Sequence, residues 1–162
     1  MKVEFDIQGL TGVLETLKQL PSEVVSKRGG PVKLALAKGA RLLRDEEKNR
    51  LQASIAVNGD QSTGFLLQNI ISSRGKAPTS SKGERYVVRI KRKSYPDRKG
   101  ATVSTLKVAQ IMEYGSEKQN PQPFIRPTFE AKAEEAISVV TDDLVKRVDR
   151  IVAKLAKQNQ GK

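Results

Sequence analysis

The chain is expected to fold as an α+β domain, with a small, mostly antiparallel sheet packed against two long helices. Three features of the sequence carry this. Apolar residues recur at helical spacing over two long stretches, about 31–51 and about 128–157, the second a long C-terminal helix. Apolar–polar alternation marks 2–7 and 85–93 as half-buried strands. Finally, 37% of the 162 residues are hydrophobic and only 4% aromatic, so the core must come from Leu, Ile, Val and Ala on helix faces. That length suits one domain spanning 1–162 with a modest core.

In chain order, Val3, Phe5 and Ile7 alternate with Lys2, Glu4 and Asp6, the pattern of a strand that Gly9 breaks. Leu10, Val13, Leu14 and Leu17 come next at helical spacing, and a short helix stops near Pro21. Ser22 to Lys27 can add a helical turn before Gly29-Gly30. Pro31 suits a first helical position, and Val32, Ala35, Leu36, Ala40 and Leu43 continue to about Leu51. The polar face of this helix, from Lys33 to Lys48 and including Lys38, Glu46 and Glu47, reads as solvated. Asn58 to Thr63 is a turn, with Thr63 capping a helical turn over Phe65 to Leu67, and Ile70-Ile71 feeds a strand. Ser72 to Glu84 is a loop rich in Ser, Gly and Lys. Tyr86, Val88 and Ile90 then share one face of a strand, and Ser94 to Ala101 turns the chain. Val103 to Tyr114 fits a strand or a short helix equally well.

Ala109 to Pro127 is the stiffest segment. Pro121, Pro123 and Pro127 fall within seven residues around Phe124 and Ile125. Proline fixes φ and pushes the preceding residue toward extended geometry, so this is a strap holding both apolar residues at a defined place. Phe124 suits a core position or an interface. Arg126 suits pairing with a carboxylate, on this or another subunit, or pointing into water. Glu113 suits the end of an element, accepting a hydrogen bond or ion pair, better than an acid without a catalytic partner. Gly115 suits a positive-φ turn. Phe129, Ala133, Ile137, Val140, Leu144, Val148, Ile151 and Leu155 then mark a helix of about 45 Å. That is longer than a domain of this size covers, so its distal end past about Arg147 projects or packs on another subunit.

The chain has no cysteine and no histidine. This removes disulfides, thiolate chemistry and every His-based triad, together with the commonest transition-metal ligand. The expectation is a non-enzymatic protein with no cofactor and no metal. MKVEFDIQGL does not resemble a secretory signal, and no apolar run approaches a membrane span. Thirty Lys and Arg against eighteen Asp and Glu give +12. Eleven of those cations, against Glu84 and Asp97 alone, lie between Arg74 and Lys107, and they include Arg85, Arg89, Lys91, Arg92, Lys93, Arg98 and Lys99. With Tyr86 and Tyr95 interleaved, this basic hairpin at about 72–107 suits an acidic protein surface, nearby packaged DNA or plain solvation. It also suits a dedicated nucleic-acid contact that neutralises phosphates and stacks bases.

Several motifs in order resemble one family, the gene-ten-like tail-completion (neck) proteins of lambdoid long-tailed bacteriophages. Ile7-Gln8-Gly9-Leu10 matches that family's opening strand and Gly-Leu pair. Thr63-Gly64-Phe65-Leu66 leading to Ile70 matches its Thr-Gly turn, with Asn69 where the family often has Ser. Glu113-Tyr114-Gly115-Ser116 matches an acidic-aromatic-glycine-hydroxyl tetrad, and Pro123-Phe124-Ile125-Arg126-Pro127 matches a Pro-Phe-aliphatic-Arg-Pro strap. The basic stretch has no counterpart there. The resemblance implies a structural virion protein of the head–tail junction, in tail completion, the neck or as tail terminator, made in the bacterial host cytoplasm. It implies a homo-oligomeric ring, sixfold by tail symmetry, next to head–tail connector and tail-tube proteins. Glu113, Tyr114, Gly115, Phe124, Ile125, Arg126 and Pro127 are then the expected subunit or partner interface. The alternative is a free-standing basic nucleic-acid-binding protein.

Overall fold

The computed structural model describes residues 30–57, 62–76, 83–96 and 103–160, without the side chains of 155, 156 and 158–160. The strand expected at 2–7, the helices expected between 10 and 27, and most of the turn at 58–63 lie outside the described residues. So do 77–82 and 97–102, with Arg98 and Lys99.

The described elements are α1 (Pro31–Val57), α2 (Phe65–Asn69), β1 (Ile70–Gly75), β2 (Arg85–Ile90), α3 (Thr105–Tyr114) and α4 (Ile125–Gln160). The architecture is α+β: one two-stranded antiparallel sheet with two long helices. Ile70 pairs with Ile90, Ser72 with Val88 and Arg74 with Tyr86 on the face turned toward α1. Ile71, Ser73 and Gly75 pair with Arg89, Val87 and Arg85 on the outer face. The sheet rests on α1, and α4 packs chiefly against α1.

At 27 residues α1 is about 40 Å long, two turns longer than its periodicity suggests. Ile55 explains part of this extension, because it packs against the core beyond Leu51. That core joins Leu51, Leu66, Ile70, Ala109, Met112 and Phe124, with Val88 and Ile90 against it. Segment 103–114 is helical from Thr105. Ser104 caps it, accepting the Lys107 N–H at 3.3 Å. Thr105 is fully buried, donates its hydroxyl to Lys91 O at 2.7 Å and accepts the Lys93 N–H at 3.0 Å. This single side chain ties the start of α3 to the chain leaving β2. Thr63 does act locally: its Oγ1 accepts the Phe65 N–H at 3.4 Å, while Gly64 supplies a left-handed φ of 68°.

α1 and α4 run antiparallel. Lys38 meets Asp143 at 3.2 Å, and Gly39 lies against Ala136 and Val140. Lys38 is therefore paired across the helix interface instead of merely solvated. Asp143 also accepts from Arg147, and these hydrogen bonds hold its carboxyl below the usual range. Residue-for-residue alignment carries α4 beyond the start of α1 near Arg150, where Val152 is exposed.

A Cβ at Gly39 would stand 2.5 Å from Val140 Cγ2 and 3.1 Å from Ala136 O. Alanine ordinarily stabilises a helix interior by about 1 kcal/mol over glycine. Here overpacking outweighs that gain, and Gly39→Ala is expected to lower stability by about 1–2 kcal/mol in urea titration. An increase in the unfolding midpoint would show that the helices are not this close.

Candidate functional site

The tetrad and the strap close on each other, joined through Glu113 and Phe124, eleven residues apart. α3 ends at Tyr114, and Gly115 takes φ 79° while its N–H bonds Ile111 O at 2.7 Å. A Cβ there would meet Gln119 O at 2.9 Å and the Pro121 ring at 3.0 Å, so the turn requires glycine twice over. Ser116 and Gln119 bridge the hairpin-like turn, and the Gln122 N–H returns to Met112 O at 2.6 Å. The strap is thereby laid along the end of α3.

Glu113 occupies the junction, with 3% of its side chain exposed. Its Oε2 accepts the N–H groups of Phe124 and Ile125, each at 2.9 Å, and its Oε1 accepts that of Arg126 at 3.0 Å. The first four N–H groups of a helix have no partner within it. In α4 those positions are Phe124, Ile125, Arg126 and Pro127. Three bond Glu113, and proline has no N–H to satisfy. One carboxylate from another helix thus caps α4 completely, and its charge suits the positive end of the helix dipole. This is why α4 begins at Ile125, three residues ahead of the start that periodicity suggests. Thr128 is fully buried and donates to Phe124 O at 2.7 Å, closing the first turn.

Of the expected interface residues, Phe124 is fully buried inside the chain's own core. The strap turns it inward, to the core position its residue type suits and not to the interface the resemblance implies, and it clusters with Leu51, Met112 and Ala109. Glu113 is likewise internal, and Ile125 is half-buried against the same cluster. Tyr114 stays 56% exposed, and the Arg126 guanidinium lies 5.5 Å from its ring centroid. Arg126 Nε stands 3.7 Å from Glu113 Oε1 with half its side chain in solvent. It pairs with a carboxylate of its own chain and also presents a surface.

Glu47 escapes sequence reasoning altogether. It lies on the face of α1 expected to be solvated, yet it is buried, and its Oε2 has no hydrogen-bond partner among the described residues. Burial and the nearby Glu113 charge raise its pKa from 4.5 to about 7. The only sequence signal is register, since Glu47 stands four residues before Leu51 on one helical face.

The basic stretch divides by strand parity. Arg85 and Arg89 lie exposed on the outer face of β2, with exposed Lys91, Arg92 and Lys93 beyond them. Glu84 is held by Arg74 in a two-pronged pair at 2.6 and 2.7 Å. The tyrosines do not interleave with the outer cations. Tyr95 packs on Phe65 at 4.9 Å between centroids, and Tyr86 lies on the opposite sheet face. An open groove of about 340 Å³ between α1 and α2 is lined by Asp45, Lys48, Asn49, Gln52, Leu67 and Gln68. Among the described residues, no three acidic side chains stand together as a metal cage, and no helix is long and apolar enough to cross a membrane.

In comparisons with known proteins, no family model, no curated protein and no solved structure matches this chain.

The two buried carboxylates should respond differently to substitution. Glu113→Gln places an amide nitrogen against N–H groups that need acceptors. The loss of charged hydrogen bonds is expected to cost about 3 kcal/mol, read as the shift in urea unfolding. A loss under about 1 kcal/mol would mean that α4 does not depend on this cap. Glu47 holds its proton more tightly folded than unfolded, so it penalises the folded state only once ionised. Its contribution is fully favourable below pH 4.5 and is lost as pH rises through about 7, a change of about 3 kcal/mol. Glu47→Gln should therefore match the parent protein near pH 4.5 and exceed its stability at pH 8. A difference that does not vary with pH would remove the buried charge from the account.

Proposed function

We propose that the chain is a structural component of a bacteriophage head–tail junction, a tail-completion or neck protein acting as a ring subunit in the virion. The supporting observation is the closed unit of tetrad and strap. The two motifs most specific to the resemblance are linked by three backbone hydrogen bonds to Glu113, so both belong to one physical device. Such a device suits assembly. It fixes the start of a helix about 54 Å long against the body and leaves Tyr114 and Arg126 at the surface beside it.

In this reading the subunit contact uses Tyr114, Arg126 and the outward side of α4, where Val145 and Val152 are exposed seven residues apart. Phe124, Glu113 and Gly115 support that contact from within. The neighbours are the connector and tail-tube proteins, and the role needs no catalytic group.

Native mass measurement of the purified protein, alone and mixed with tail tubes lacking it, tests this. A closed ring, six subunits by tail symmetry, is the expected species in at least one condition. Tyr114→Ala with Arg126→Glu should shift the ring toward monomer while the circular dichroism spectrum is kept. Monomer under both conditions would overturn the reading.

A further inference from the structure

We infer that the outer face of β2 and the chain just beyond it form a track for the phosphate backbone of double-stranded nucleic acid, independent of base sequence. This inference does not rest on the ring reading.

The track begins with parity. Arg85 and Arg89 share the outer face of β2 on either side of the half-buried Val87, and beyond the strand Lys91 and Lys93 are exposed. Past Ile90 the chain leaves the β1–β2 ladder and passes to the start of α3, held by backbone hydrogen bonds on the way. Lys91 N–H bonds Asn69 O at 2.8 Å, Thr105 N–H bonds Lys93 O at 2.9 Å, and Tyr95 N–H bonds Val103 O at 3.0 Å. Buried Thr105 fixes the segment between Lys91 and Lys93 through both of its hydroxyl hydrogen bonds. The cations therefore stand on a rigid rail. At about 3.3 Å per residue the row from 85 to 93 covers about 26 Å.

Charge then selects the partner. Arg85, Arg89, Lys91, Arg92 and Lys93 are all exposed, and none has an ion-pair partner among the described residues. Glu84, the one described acid in the stretch, is consumed by Arg74. A duplex offers about one negative charge per 1.7 Å of axis, roughly fifteen along the row. The five cations of the row meet such charge at regular intervals along a duplex, whereas an acidic protein must assemble it one carboxylate at a time. The aromatic residues decide between duplex and single strand. Base stacking needs an exposed ring, but Tyr95 is engaged with Phe65, and Tyr86 belongs to the inner face. Phosphate contact is left for the ligand, and it positions without reading sequence.

The test uses the full chain and a labelled 24-base-pair DNA of random sequence, monitored by fluorescence anisotropy between 50 and 200 mM salt. Comparators are the matching single strand and a polyglutamate of equal charge. The expected result is duplex binding that weakens linearly in log–log salt plots. Arg85→Ala/Arg89→Ala/Lys93→Ala should weaken binding at least tenfold at 50 mM salt and flatten the slope by about 2–3. Lys146→Ala/Arg150→Ala/Lys154→Ala removes the same charge from α4 and should bind as the parent does. Circular dichroism melting verifies that both variants fold. Four results would overturn the inference: no salt-dependent binding, equal loss in both triple variants, tighter binding of the single strand, or polyglutamate competing as well as duplex.

Discussion

The Glu113 carboxylate, inserted between the end of α3 and the start of α4, is the contact on which the rest of the structure depends. α4 is the longest element, and its first turn carries no capping side chain of its own: Phe124, Ile125 and Pro127 offer no polar atom in their side chains. A helix start buried in this way costs free energy for each unsatisfied N–H. Glu113 meets the requirement from a distance, and in doing so fixes the direction in which α4 leaves the body. The packing of α4 on α1 through Gly39, Ala136 and Val140 works only if that direction is held, because the contact leaves no room for even a methyl group on Gly39. Core, cap and helix pair are therefore one mechanical unit.

A second carboxylate qualifies that unit. Glu47 sits buried beside Glu113, with one oxygen lacking a partner among the described residues. Two charges cannot share a dry site cheaply, so below about pH 7 Glu47, the carboxylate that does not hold three N–H groups, keeps its proton. A glutamine at position 47 would fill the same volume without this conflict. The periphery is governed by different physics. The basic rail of β2 is exposed, held by backbone ladders and Thr105, and the core is unaffected by what the cations meet.

Much of the architecture was legible in local pattern. Periodicity placed α1 and α4, alternation placed β2, and glycine chemistry placed the turn at Gly115. Segment 103–114 was not legible, because its apolar spacing suits period two and period 3.6 alike. Ser104 as a cap and the Thr105 contacts with Lys91 and Lys93 favour the helix, and Lys91 and Lys93 lie more than ten residues away. The site was half legible. Proline chemistry identified the strap as stiff, but stiffness does not say which way Phe124 faces. The surrounding core settled that it faces inward.

By itself the sequence determined the two long helices, the strand from Arg85 and the glycine turn at Gly115, and that histidine and thiol chemistry are absent, since these depend on residue type and short-range spacing. It did not determine that 103–114 is helical or that Ser72 to Gly75, read as loop, is strand. Only the tertiary structure decided what Glu113 and Glu47 do. Both are ordinary acidic residues, and apart from the register of Glu47 with Leu51 nothing near either announces burial. Their roles arise because a desolvated carboxylate must find donors or keep a proton, and which of the two happens depends on what the fold brings against it.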